Sequence, residues 1–98
     1  MEIKKLQEGE GLEVSLVGRL DTKTAPELEA ALGDLAGIKR LSLDLGGVPY
    51  VSSAGLRVLL SAQKTMNRQG SMTISRVCED VMDVFDMTGF SGVLTIVP

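Results

Sequence analysis

Histidine and tryptophan are absent from this 98-residue chain, and Cys78 is its one cysteine. Without histidine the chain cannot build a Ser-His-Asp triad, a His-ligated zinc site or an imidazole general base. A lone cysteine cannot close an internal disulfide, so nothing points to an oxidising compartment. The absences therefore exclude the commonest nucleophilic and zinc centres, and we expect neither a metal nor another cofactor.

Positive charge and aromatic side chains are also scarce. The chain has 10 Lys and Arg against 13 Asp and Glu, a net charge of −3, and 3% aromatic residues. Nucleic-acid-binding domains normally carry a basic stripe or an aromatic stacking platform, so we expect no nucleic-acid partner. The N-terminal residues are charged and the apolar runs are short, which predicts neither a signal peptide nor a membrane span. We expect a cytoplasmic protein.

The remaining composition, 44% hydrophobic and 23% charged, is typical of a globular chain. The length and the lack of repeats or a long linker predict a single domain over residues 1–98. Apolar and polar residues alternate in short segments, which predicts strands with one buried face. These segments are residues 3–6, 12–17, 41–45, 71–75 and 94–96. The first two are so close that an antiparallel hairpin should join them.

Helical periodicity separates the later strands. The first helix should follow Thr24, which has capping-box spacing to Glu27, and end near Gly37. The second should run from Ser52/Ser53 to Gly70, and the third from about residue 77 to residue 88. Alternating strands and helices predict parallel pairing, and the single apolar parity places all helices on one side of the sheet. The expected fold is α/β: a single-layer βα superhelix on a mixed, mostly parallel sheet. Its predicted core contains Leu41, Leu43, Leu45, Leu56, Leu59, Leu60, Val81 and Phe85.

Two polar loops should meet at the carboxyl ends of the strands. Ser52 and Ser53 open the second helix, where unpaired N–H groups favour an anion, although serine is also an ordinary N-cap. Asp21, in the loop before the first helix, could orient a hydroxyl or simply form an Asx turn. A serine nucleophile is disfavoured because the chain has no G-x-S-x-G motif and no histidine base.

Three segments, residues 17–21 (VGRLD), 43–56 (LDLGGVPYVSSAGL) and 84–90 (VFDMTGF), resemble the STAS family. This family comprises bacterial anti-sigma factor antagonists and the tails of sulfate transporters. The resemblance implies a βα superhelix and a non-enzymatic binding protein. It also implies a partner serine kinase that doubles as anti-sigma factor, and release of that partner when one serine is phosphorylated. A metal-dependent serine phosphatase would reverse the modification.

Aligned on Gly55, the family's modified residue falls on Ser53, while Ser52 takes the place of an aspartate and Ala54 that of a second hydroxyl residue. Family members usually continue into a final helix, whereas this sequence ends at Val97-Pro98. The resemblance implies phosphorylation at Ser53 and a partner-binding surface made of Asp21, Thr22, Ser52, Ser53, Ala54, Gly55 and Arg57. Two alternatives stay open: an unphosphorylated scaffold or small-ligand domain, and a hydrolase or transferase that uses Ser53.

Overall fold

The computed structural model describes all 98 residues, Met1–Pro98. The strands are β1 (Glu2–Glu8), β2 (Gly11–Val17), β3 (Arg40–Gly47) and β4 (Ser71–Ser75). The helices are α1 (Ala25–Leu32), α2 (Ser53–Gln69) and α3 (Glu79–Thr88), and a short 3-10 turn (Phe90–Gly92) follows α3.

The sheet has the strand order β1-β2-β3-β4. The β1 and β2 strands form an antiparallel hairpin, whereas β2 with β3 and β3 with β4 are parallel. Each parallel pair is connected through a helix, because a parallel connection is too long for a tight turn. The predicted mixed, mostly parallel sheet is confirmed.

One face of the sheet carries the core and the other is polar. Alternate residues of β2, β3 and β4 are buried with the inward residues of all three helices in one cluster of 24 side chains. On the opposite face, Ser15, Asp44 and Ser75 are neighbours across three strands. The buried apolar residues of these strands lie on one face of the sheet, and the helices cover that face, as predicted. Seven of the eight predicted core residues are buried, but Leu60 is only half-buried because it lies on the flank of α2.

The prediction of a fifth strand at residues 94–96 is wrong. These residues contribute only an isolated parallel bridge between Ile96 and Ile74. The Ile74 N–H donates to the Thr95 carbonyl at 2.8 Å, and the Val97 N–H donates to the Ile74 carbonyl at 2.8 Å. Pro98 has no N–H to extend this ladder. Leu94 is nevertheless buried, so the segment packs as the pattern predicted although it lacks a strand's length.

The first helix is shorter than predicted, since α1 ends before Gly33 rather than near Gly37. Gly33 has a φ of +62°, which a glycine adopts readily and which terminates the helix. Beyond it, the Asp34 carboxylate accepts the N–H of Ala36 at 2.9 Å, in an Asx turn that competes with helical pairing. Leu35 is still buried, so the spacing of apolar residues continues beyond the end of the helix.

Candidate functional site

The two adjacent serines at the start of α2 have different roles. Ser52 is extended and its hydroxyl accepts the Gly55 N–H at 3.4 Å, so Ser52 is the N-cap. Ser53 is the first residue of the helix, is exposed, and makes no side-chain hydrogen bond within the chain. The capping interpretation of the sequence therefore applies to Ser52 and leaves the Ser53 hydroxyl free.

Gly55 holds the first turn of α2 against the loop that follows β2. A Cβ at this position would lie 2.7 Å from Leu20 Cγ and 2.9 Å from the Leu20 carbonyl oxygen. These contacts are too close for any side chain at position 55, and both Gly55 and Leu20 are buried. Gly55 therefore permits a close approach between the helix and the loop.

The loops after β2 and β3 are joined through their backbones. Leu20 and Val51 form a parallel bridge, the Leu20 N–H donates to the Tyr50 carbonyl at 2.9 Å, and the Ser52 N–H donates to the Leu20 carbonyl at 2.8 Å. We call the resulting surface the rim and define it as residues 19–24 and 50–57. The prediction that the two polar loops meet is thus confirmed. Their pairing places Asp21 next to the start of α2.

Asp21 organises its own loop. Its carboxylate oxygen Oδ1 accepts the N–H groups of Lys23 at 3.0 Å and Thr24 at 3.2 Å. Partial desolvation acts to raise the pKa of Asp21, but the hydrogen bonds from Thr24 and Lys23 and the nearby Arg19 charge together lower it. The carboxylate is thus ionised at neutral pH and forms the Asx turn that the sequence allowed.

The capping box predicted for Thr24 and Glu27 is wrong. The Thr24 hydroxyl accepts the Asp21 N–H at 2.8 Å and donates to the Arg19 carbonyl at 2.6 Å, and it makes no capping hydrogen bond to α1. The hydroxyl is therefore committed to the turn that precedes the helix. The Asp-x-x-Thr spacing of Asp21 and Thr24 was the signal for this alternative.

Sequence reasoning missed one pair on the rim, Arg19 and Tyr50. The Arg19 guanidinium carbon lies 4.2 Å from the centre of the Tyr50 ring, and Arg19 Nε lies 3.7 Å from Asp21 Oδ2. Tyr50 is 40% exposed. Each residue directly precedes one partner of the Leu20–Val51 bridge, so only knowledge of that pairing could have placed them together.

An open groove of about 280 Å³ runs between α1 and the first turns of α2. It brings together three of the predicted binding residues, Thr22, Ala54 and Arg57, and Glu29 lies on its α1 side. Arg57 is exposed and has no carboxylate within ion-pair distance.

No three His, Cys, Asp or Glu side chains converge as metal ligands. No helix has both the length and the apolar character needed to cross a bilayer.

A family model described as "Mlab, STAS domain" matches residues 3–98. The chain belongs to the STAS family. This STAS domain is 36% identical over 84 residues to the "Putative anti-sigma factor antagonist BtrV" of Bordetella bronchiseptica, covering 83% of this chain and 72% of that protein. It is 29% identical over 100 residues to the "Anti-sigma-B factor antagonist" of Listeria monocytogenes, covering 98% of this chain and 86% of that one.

Solved STAS structures share the fold at low sequence identity. The unphosphorylated form of the anti-sigma factor antagonist SpoIIAA has a TM-score of 0.83 at 14% identity, covering 99% of this chain and 89% of that chain. The phosphorylated form of SpoIIAA from Bacillus has a TM-score of 0.76 at 13% identity, covering 99% and 92%. These likenesses confirm the predicted fold.

Proposed function

We propose that this protein is a cytoplasmic anti-sigma factor antagonist, a non-enzymatic binding protein whose partner is released when Ser53 is phosphorylated. The observation that carries the proposal is the exposed, unbonded hydroxyl of Ser53 at the first position of α2, beside a neighbour that already caps the helix. The names of the curated relatives support the antagonist role. A fold shared with a protein solved in phosphorylated form supports the modification.

The electrostatics of this position suit a switch. A phosphoserine carries a charge of about −1.5 to −2 at neutral pH. At a helix N-terminus the macrodipole stabilises such a charge, so the domain should remain folded. In a protein interface the same group adds bulk and must lose its hydration. A loss of roughly 3 kcal/mol would weaken binding more than a hundredfold.

The seven predicted binding residues divide into two groups in this proposal. Thr22, Ser53 and Arg57 are exposed and would touch the partner directly. Asp21, Ser52 and Gly55 shape the surface, through the Asx turn, the cap and the close approach to Leu20, and Ala54 lines the groove. The partner would be a serine kinase that is also an anti-sigma factor, and a metal-dependent serine phosphatase would restore the free serine.

The test uses purified serine-kinase anti-sigma factors encoded in the same genome, beginning with the one nearest this protein's gene. After incubation with ATP, intact mass and peptide mapping should place one phosphate on Ser53. Ser53→Ala should bind the kinase without being modified, and Ser53→Asp should lose binding while staying folded. Ser52→Ala is the matched control and should still be phosphorylated. Phosphate only on Ser52, or on neither serine with every kinase tried, would contradict the proposal.

One observation favours a second candidate, an unphosphorylated scaffold or small-ligand domain. The family's aspartate before the modified serine is replaced by Ser52, whose hydroxyl is used in capping, so no carboxylate precedes Ser53. Binding of a partner without any phosphate transfer in the experiment above would favour this candidate. A hydrolase or transferase has less support, since the chain has no histidine to activate Ser53.

A further inference from the structure

The rim differs in charge from the rest of the molecule. It contains three cations, Arg19, Lys23 and Arg57, and one carboxylate, Asp21, in a chain whose net charge is −3. That carboxylate is already occupied by backbone N–H groups and by Arg19. These residues therefore carry a net charge of +2 on an acidic protein, while Glu29 of α1 lines the groove that Arg57 also lines.

Two of these cations have no ion-pair partner in the chain. The three ion pairs of the structure involve Lys4, Arg19 and Arg76, and none involves Lys23 or Arg57. Glu29 lies on the other side of the groove from Arg57 but does not approach within 4.0 Å of it. The charges of Lys23 and Arg57 are thus available to another molecule.

The third cation, Arg19, contacts two other residues of the rim. The Arg19 guanidinium stacks on the Tyr50 ring at 4.2 Å, and its Nε lies 3.7 Å from Asp21 Oδ2. Tyr50 and Asp21 are each adjacent in the chain to one partner of the Leu20–Val51 bridge. Stacking of this kind orients a guanidinium and leaves its outer N–H groups free to donate. Tyrosine and arginine are also the residue types that most often dominate binding energy at protein interfaces.

We propose that Arg19, Lys23 and Arg57, hereafter the cationic patch, recognise an acidic surface of the partner protein. The inference rests on the proposed function, because it names the chemistry of the anti-sigma factor that binds the rim. Charge complementarity of this kind accelerates association and weakens as salt is added. It also gives the phosphate a second effect, since a dianion on Ser53 would neutralise most of the patch that the acidic surface needs.

Arg57 is well placed for that second effect. Ser53 and Arg57 are four residues apart on α2, so they are neighbours on the same side of the helix. A phosphate on Ser53 can therefore pair with Arg57 within the same chain and remove this cation from the partner. One modification would then both add a repulsive charge and occupy an attractive one.

The test compares Arg57→Glu with Lys64→Glu. Both side chains are exposed, lack ion pairs and lie on the same side of α2, and both substitutions change the net charge equally. Lys64 is about 10 Å further along the helix, beyond the Debye length of about 8 Å at physiological salt. Titration calorimetry with the purified serine-kinase anti-sigma factor should show Arg57→Glu binding more than about tenfold more weakly and Lys64→Glu less than about twofold.

Ionic strength provides the second readout. Raising NaCl should weaken wild-type binding and shrink the gap between the two variants, and phosphate buffer at equal ionic strength should have no additional effect. Equal affinities for the two variants, or wild-type binding that does not change with salt, would overturn the cationic patch while leaving the antagonist function intact.

Specific competition by inorganic phosphate would assign the patch to a small anion instead. Loss of a self-associated form in Arg57→Glu, seen by sedimentation, would assign it to a second copy. Failure of the wild-type protein to bind any of these kinases would overturn the antagonist function itself, and the patch with it.

Discussion

The helix-covered face of the sheet and the rim are ordered by different forces. Beneath the helices, fully buried side chains such as Leu43, Leu59 and Phe85 fill one continuous core. The rim holds its exposed side chains through backbone hydrogen bonds, an Asx turn and one close backbone approach at Gly55. Free energy of folding is concentrated in the first region, so the exposed groups of the second can be altered at little cost to the fold.

The two regions meet at the first turn of α2. Leu56 and Gly55 are buried, whereas Ser53 and Arg57 are exposed. A single turn of helix thus carries both the contacts that fix its position and the groups that the proposed function assigns to partner binding. Substitutions on its two sides should therefore separate stability from binding.

The largest effect is expected in the core. Leu43 is fully buried in β3, one of the two inner strands of the sheet. Leu43→Ala should therefore lower the free energy of unfolding by about 2–5 kcal/mol through lost burial and a residual cavity. Chemical denaturation followed by circular dichroism measures this change. A loss below about half a kcal/mol would show that the covered face is not the main source of stability.

Gly55→Ala tests the junction of the two regions. The new Cβ would collide with Leu20, so α2 must shift away from the loop, at a cost of about 1–3 kcal/mol in unfolding free energy. Partner binding should fall as well, because the shift separates the two halves of the rim. Gly92→Ala is the matched control, since its Cβ would meet nothing within 4 Å. Equal stability of the two variants would contradict the close approach.

Asp21→Ala tests whether the loop after β2 matters to binding more than to folding. Removing the carboxylate frees the N–H groups of Lys23 and Thr24 and releases Arg19, so the loop should lose its fixed shape. We expect affinity for the partner to fall several-fold while the circular dichroism spectrum is unchanged. A variant whose sole defect is lower stability would reduce Asp21 to an Asx turn with no part in binding.

The adjacent serines should differ in a stability measurement without any partner. Ser52→Ala removes the N-cap and should cost about 0.5–2 kcal/mol, towards the lower end because the hydrogen bond is 3.4 Å long. Ser53→Ala should change the unfolding free energy by less than about 0.5 kcal/mol, as for an ordinary surface position. Thermal or urea unfolding of the two variants measures this difference. A larger loss of unfolding free energy in Ser53→Ala than in Ser52→Ala would show that Ser53, and not Ser52, caps the helix.

The smallest effect concerns the polar face of the sheet, where Arg76 Nε lies 3.0 Å from one oxygen of Asp44 and 3.1 Å from the other. The hydrogen bond from Arg76, assisted by the Gly46 N–H, holds the pKa of Asp44 below its usual value of 3.8. The pair therefore stabilises the fold above that pH, and its contribution disappears as the pH falls through the lowered pKa. Arg76→Gln should be slightly less stable than wild type at pH 7, and the difference should shrink below about pH 4. A difference that is constant with pH would show that the ion pair contributes nothing.

Sequence patterns predicted the covered face better than the rim. Alternation in Leu41, Leu43 and Leu45 reports burial directly, so the one-sided layer could be derived without any structure. The end of α1 could not be derived from the sequence, because the helix ends at Gly33 whereas the apolar spacing continues to the buried Leu35. The stack of Arg19 on Tyr50 was equally hidden, since their contact depends on two loops that are about 30 residues apart in the chain and meet only through the sheet.

The position of Ser53 at the start of α2 determines what the proposed kinase would have to recognise. A residue in the first turn of a helix cannot be drawn into a catalytic cleft as an extended peptide unless that turn unwinds and Gly55 leaves Leu20. A short peptide with the sequence of residues 48–60 would lack the loop that holds this turn, and it should be a poor phosphate acceptor. Recognition then depends on the shape of a folded surface and not on a linear motif. Under the proposed function, substitutions outside the rim that preserve its shape should therefore leave phosphorylation unchanged.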